Sequence, residues 1–132
     1  MTTTTATLVA DASAAVRSLP PMQFAALADR SGTVLIDVRE ADERVRDGSI
    51  RGAVHIPRGM LEFRADATSQ NYDERLQRDR QILLYCHDGG RSALAAQTLA
   101  EFGYAEVAHL EGGICAWTEA SLPLYGRQID PY

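Results

Sequence analysis

The most reactive chemistry in this sequence lies in one stretch, Cys86-His87-Asp88-Gly89-Gly90-Arg91-Ser92, directly after the apolar run Gln81-Ile82-Leu83-Leu84-Tyr85. A thiol becomes a strong nucleophile only as the thiolate, which is favoured by converging backbone N–H groups, by the positive end of a helix and by a nearby cation. The stretch offers all of these. Gly89 and Gly90 permit the positive-φ conformations that let a chain wrap around one atom, and Arg91 brings a fixed positive charge where a helix is expected to start. Asp88 subtracts a charge from the same loop. A junction of this kind suits either a bound anion or a thiolate.

The surrounding pattern predicts the elements that present this loop. Gln81 to Tyr85 reads as a buried strand that delivers Cys86 at its carboxyl end, where ligands of open α/β sheets bind. Ala95, Leu99 and Phe102 share one face of a helix from Arg91 to Phe102, and Gly103 stops it. Thr33 to Val38 is a second strand, apolar enough for burial on both faces. Ala53 to Ile56, stopped by Pro57, and Val107 to Leu110 are two shorter ones. Helices are predicted from Pro21 to Ala28, within Arg39 to Asp47, and after Gly112-Gly113 around Ile114, Ala116 and Trp117. One or two helical turns are expected between Arg58 and Arg64. Residues 65–73 read as loop and residues 74–80 as a charged segment, neither of them core. The alternation predicts an α/β domain: a central, mostly parallel sheet with helices on both faces. It spans residues 17–123, after an N-terminal arm over residues 1–16 with a short helix from Ala6 to Val16, and before a C-terminal tail over residues 124–132.

A chain of 132 residues suffices for one domain with a sizeable core. Its net charge of −5 argues against a nucleic-acid or anionic-membrane partner, so any anion site must be local. All 13 basic residues are arginine, an even bias that indicates no function. The N-terminal threonines lack the basic start of a signal peptide, and no apolar run is long enough to span a bilayer. Two cysteines do not make a disulfide framework, which leaves Cys86 as a free thiol and points to the reducing cytoplasm.

Four stretches together resemble the rhodanese-like family of single-domain thiosulfate sulfurtransferases: Asp37-Val38-Arg39-Glu40, Gly52-Ala53-Val54-His55-Ile56-Pro57, the Cys86 to Ser92 loop, and Leu110-Glu111-Gly112-Gly113 with Trp117. They stand in the family's order. The departures are Ser49 after Gly48, no aromatic residue near Arg44 or Val45, and Asp88 where a basic or neutral residue is common. The resemblance implies a double displacement. Cys86 takes the outer sulfur of thiosulfate or a similar donor as a persulfide, then yields it to a thiophilic acceptor such as cyanide or a thiol. Loop residues His87, Asp88, Gly89, Gly90, Arg91 and Ser92 would cradle that sulfur. The persulfide is itself the carrier, so no cofactor is expected.

Further residues are weighed beside these. Activation by the loop needs no general base, so His87 reads as a loop side chain. Asp37 and Arg39 are candidates to brace the loop, although Arg39 could equally pair with Asp37 or Glu40, and Arg58 and Arg64 are candidates to line its mouth or to lie on the surface. Cys115 could resolve a persulfide, although a thiol buried in its helix is the default expectation. His55 and His109 read as structural, and no His/Cys cluster has zinc spacing, so no metal is expected. Cysteine phosphatases and arsenate reductases place five residues between Cys and Arg, whereas four stand between Cys86 and Arg91. The shorter loop matches a single sulfur atom. A non-catalytic regulatory module would typically have lost the cysteine, while a persulfide carrier served by a partner protein would keep it. Donor, acceptor and oligomeric state are not written in these residues.

Overall fold

A computed structural model describes residues 2–128. The chain runs α1 (Thr5–Ala15), β1 (Arg17–Leu19), α2 (Pro21–Ala28), β2 (Val34–Asp37), α3 (Ala41–Asp47), β3 (Val54–His55), a single 3-10 turn (Arg58–Met60), α4 (Leu61–Ala65), β4 (Gln81–Tyr85), α5 (Gly90–Glu101), β5 (Glu106–Leu110) and α6 (Gly113–Glu119). The strands form one sheet in the order β1-β5-β4-β2-β3. Every pairing in it is parallel.

Burial on both faces explains why β2 and β4 read as unbroken apolar runs. Ile36, Ile82, Leu83, Leu84 and Tyr85 all have 0% exposure. Each of the aliphatic ones contributes roughly 1.5–3 kcal/mol of transfer free energy. Alternate side chains feed two apolar clusters. On one face Ile82 and Leu84 pack with Ala95, Ala96 and Leu99 of α5. On the other Leu83 and Tyr85 pack with Phe24 of α2 and with Ile114 and Trp117 of α6. The expected α/β architecture with helices on both faces is therefore observed.

Several boundaries differ from the sequence expectation. Strand β1 is additional: Arg17, Ser18 and Leu19 pair with Ala108, His109 and Leu110, and only Leu19 is buried, too little for a periodic signal. Helix α1 is firmly docked on α5, with Ala12 at 0% exposure and the Thr4 hydroxyl accepting the Thr7 N–H at 3.1 Å as N-cap. The segments taken as outside the core contribute to it. Ala65 and Leu76 are each 1% exposed, and the Tyr104 hydroxyl donates to the carbonyls of both, at 2.8 and 3.0 Å. At the C-terminus, Tyr125 forms an antiparallel bridge with Ser49, and the Gln128 N–H donates to the Val45 carbonyl at 2.8 Å. The rest of the expected tail, residues 129–132, lies outside the described residues. Among the described residues no helix is long and apolar enough to cross a membrane.

Candidate active site

All strands being parallel, their carboxyl ends share one edge, and Cys86 leaves β4 there. Its backbone is pinned on the β2 side, where the Val38 N–H donates to the Tyr85 carbonyl at 3.1 Å. Cys86 is completely buried. The sulfur accepts the Gly89 N–H at 3.2 Å and the Ser92 N–H at 3.3 Å, with the Ser92 hydroxyl 3.5 Å away. Gly89 is the N-cap of α5 with φ 101°, a left-handed geometry costly for any side chain. The thiol thus sits at the start of a helix with amide hydrogens aimed at it, as the residue types suggested. The contributing amides are those of residues 89 and 92, a narrower set than the whole loop from His87 to Ser92. The Gly90 N–H is turned instead to Asp88 Oδ1 at 3.3 Å.

A second turn holds this loop from behind. The Ile114 N–H donates to the Cys86 carbonyl at 2.9 Å and the Cys115 N–H to the His87 carbonyl at 3.0 Å. The start of α6 therefore binds the loop's carbonyls, leaving amides to face the sulfur. Such closeness needs glycine at position 113: φ is +59°, and a Cβ there would lie 2.5 Å from the His87 carbonyl carbon. This is the physical link between the Gly112-Gly113 motif and the cysteine loop.

The charged groups are tied to one another. The Arg91 guanidinium makes two parallel hydrogen bonds to Glu43 of α3, at 2.6 and 2.8 Å. Arg91 in turn holds the Glu43 carboxyl down to about 2, and the Arg91 pKa is raised. Asp37 and Arg39, both at 0% exposure, are joined by Nε–Oδ1 and Nη2–Oδ2 bonds at 3.1 and 2.8 Å. Arg39 Nη2 also donates to the Gly48 carbonyl at 2.7 Å, which locks β2 to the end of α3. Arg44 Nε lies 3.2 Å from Asp37 Oδ2 as a further ion pair. Arg58 is engaged away from the loop, with Glu62 at 2.9 Å and Thr98 of α5 at 3.0 Å.

Three features escaped the sequence. Glu43 is the partner of Arg91, 48 residues distant in the chain. Cys115 is exposed rather than buried, and its sulfur lies 3.3 Å from His87 Nε2. His109, 3% exposed, stands behind Ser92, with Nδ1 2.9 Å from the Ser92 hydroxyl and Nε2 2.8 Å from the Ser18 hydroxyl. A hydrogen-bond partner two strands or 48 residues away has no local signature, and the one available signal, the polarity of His109 in a mostly apolar strand, reads equally as structural. Beside the loop, a groove of about 440 Å³ runs between α1 and α5, lined by Ala6, Val9, Asp88, Gly90, Arg91 and Leu94.

Three comparisons with known proteins bear on this geometry. The family model for the rhodanese-like domain matches residues 21–120. A sulfurtransferase of Allochromatium vinosum is 33% identical over 98 residues, 74% of this chain and 83% of that protein. A solved structure from Rhodopseudomonas palustris, a protein of unknown function described as a possible tyrosine phosphatase, superposes with a TM-score of 0.88 at 35% identity, covering 95% of this chain and 96% of that one. The polysulfide-sulfur transferase homodimer of Wolinella succinogenes gives a TM-score of 0.75 at 29% identity, covering 94% and 88%.

Proposed function

Because the chain belongs to the rhodanese-like domain family, we propose that it transfers sulfane sulfur through a persulfide on Cys86, with thiosulfate or a similar small sulfane donor as substrate. One observation carries the reading: a buried cysteine at the carboxyl end of β4 whose sulfur receives the Gly89 and Ser92 N–H groups at the start of α5. That environment favours the thiolate by hydrogen bonding and by the helix dipole, without a general base. Asp88 and Arg91 are not free anion hooks. One accepts the Gly90 amide and the other is held by Glu43, so the cradle is mainly backbone.

The reaction has two displacements. The Cys86 thiolate attacks the outer sulfur of thiosulfate, a new S–S bond forms, and the old one breaks with its electron pair leaving on sulfite. The acceptor, cyanide or a thiolate, then attacks the terminal sulfur. The cysteine S–S bond breaks and its electron pair returns to Cys86. No redox cofactor or metal enters this balance. The covalent intermediate implies ping-pong kinetics.

A phosphatase reading follows from what the Rhodopseudomonas palustris protein is described as. Against it stand the four residues between Cys86 and Arg91 and the engagement of that arginine by Glu43, which together leave little room for a phosphoryl group. A persulfide carrier loaded by a partner protein shares the chemistry drawn here and differs only in the donor.

The deciding experiment is intact mass after incubation with thiosulfate. A gain of one sulfur atom is expected, reversed by cyanide and absent in Cys86→Ser. No gain in the wild type, or an equal gain in the variant, defeats the assignment. Turnover of an aryl phosphate would favour the phosphatase.

A further inference from the structure

Cys86 has 0% exposure, so in the resting structure its thiol does not itself meet bulk water. Behind it runs an unbroken line of polar atoms: Cys86 Sγ to Ser92 Oγ at 3.5 Å, Ser92 Oγ to His109 Nδ1 at 2.9 Å, and His109 Nε2 to Ser18 Oγ at 2.8 Å. Ser18 is half-buried on β1, the edge strand of the sheet. The sulfur, Ser92 and His109 are buried, and the last group in line meets the edge. The mechanism above uses none of His109 or Ser18.

A neutral imidazole has one donor and one acceptor nitrogen, and a hydroxyl can donate while it accepts. The line can therefore be polarised in either direction with each of its own links satisfied, the Ser92 hydroxyl giving up its alternative bond to the Gly89 carbonyl at 3.3 Å. With Cys86 as thiol, S–H donates to Ser92, Ser92 O–H to Nδ1, and Nε2–H to Ser18. With Cys86 as thiolate, Ser18 O–H donates to Nε2, Nδ1–H to Ser92, and Ser92 O–H to the sulfur. Passing from the first to the second moves one proton along each link. The cysteine proton goes to Ser92 Oγ, the Ser92 proton to Nδ1, the Nε2 proton to Ser18, and the Ser18 proton to water. The balance is one proton released and one thiolate formed, with the ring neutral at both ends.

We propose that Ser92, His109 and Ser18 form a proton path for Cys86, in which His109 is a positioning residue that acts through the Ser92 hydroxyl to set when the buried sulfur ionises. This rests on the reading of Cys86 as the nucleophile. Burial lowers the His109 pKa, which keeps the ring neutral as the path requires. No charged neighbour adds to that effect. From β1 it meets Ser18, beside the exposed Arg17; from β4, its register partner is Leu84; from α5 it meets Ser92; and the one acidic residue of α1, Asp11, is exposed. Around the sulfur, the charged and titratable groups are Asp88, Arg91 with its Glu43 partner, and His87 beside Cys115.

The test is the pH profile of Cys86 alkylation by iodoacetamide, followed by mass in a Cys115→Ser background. It reads ionisation and needs no sulfur donor, so failure of the sulfur-transfer reading would leave it interpretable. His109→Phe is expected to move the midpoint upward by about one pH unit, a roughly tenfold slower reaction on the acidic limb. His109→Gln, which can still donate to Ser92, should recover most of the shift. In a Ser92→Ala background, His109→Phe should add nothing. Ser18→Ala, on the half-buried edge, should shift the midpoint in the same direction by less, and it keeps the test alive if His109→Phe does not fold. A profile for His109→Phe that overlays the wild type overturns the path. So does an undiminished shift in the Ser92→Ala background, or a Ser18→Ala profile that overlays the wild type.

Discussion

Arg91 and Glu43 face each other through two parallel hydrogen bonds of 2.6 and 2.8 Å, joining the first turn of the helix that follows Cys86 to α3. The pair converts an arginine that sequence logic offers to substrate into a brace for the loop. It also makes the loop sensitive to acid. Arg91 holds the Glu43 carboxyl near 2, below its unperturbed 4.5, so the stabilisation is complete above about pH 4.5 and is lost as pH falls through about 2. With the Arg91 side chain 37% exposed, solvent screening reduces the contribution to about 1 kcal/mol. Glu43→Gln keeps the capping bond from the Glu40 N–H but removes the charge. Urea unfolding should show that variant about 1 kcal/mol less stable at neutral pH and equal to the wild type near pH 2. An equal gap at both values would show that the carboxylate charge is not what matters.

Gly113 is predicted to be the least replaceable glycine near the site. An alanine there would need a left-handed backbone, at about 1–2 kcal/mol. Its Cβ would also meet the carbonyl oxygen of His87 at 2.5 Å and the Asp88 nitrogen at 2.6 Å, all backbone and unable to yield. Gly113→Ala should therefore displace the loop. Sulfur loading on Cys86 is expected to fall at least tenfold, while circular dichroism keeps its helical signature. Gly52→Ala is the control, since nothing lies within 4 Å of its Cβ position although φ is also positive. Equal loading in the two variants would contradict the packing argument.

The two thiols should differ sharply in access. Cys115 is exposed beside His87, whereas Cys86 has 0% exposure. A bulky maleimide added in limited amount to the native protein should label Cys115 first, and peptide mapping should find Cys86 labelled only after unfolding. A small alkylating agent should reach both. Early bulky labelling of Cys86 would mean that the loop opens far more often than its hydrogen bonds to α6 suggest.

The parts of the molecule legible in the sequence are those whose signal is local. Gln81 to Tyr85 is a strand because five consecutive residues are apolar or β-compatible and a cysteine loop follows, and the observed strand has those bounds. Pro21 to Ala28 is legible because proline starts the helix and Phe24 anchors it. Strand β1 was not, because three residues with one buried side chain have no periodicity. Leu76 was hidden by its charged neighbours, although a single apolar residue in a polar run can still turn inward. The site divides in the same way. The loop around Cys86 is contiguous and can be read, while Glu43, Ser18 and His109 reach it only through the parallel pairing of distant strands and helices.

Helix α1 is legible as a helix, expected over Ala6 to Val16 and observed over Thr5–Ala15, but its docking on α5 is not local, and that docking leads to the last expectation. The helix has little intrinsic drive to form alone, being eleven residues long with no acidic residue in its first turn and no basic residue in its last. It is held by packing on α5, where Ala12 is fully buried. Its Val9 Cγ2 lies 3.7 Å from where a Cβ on Gly90 would stand, so α1 forms a wall of the groove beside the loop. Ala12→Glu would bury an unpaired carboxylate, which costs more than the docking of one short helix provides. The helix should therefore detach rather than the domain unfold. The expected result is a loss of about 2 kcal/mol in stability, proteolytic cleavage confined to residues 2–16, and a raised KM for the sulfur donor with little change in kcat. A fall in kcat at unchanged KM would instead place α1 in control of the cysteine itself, by way of the Gly90 turn.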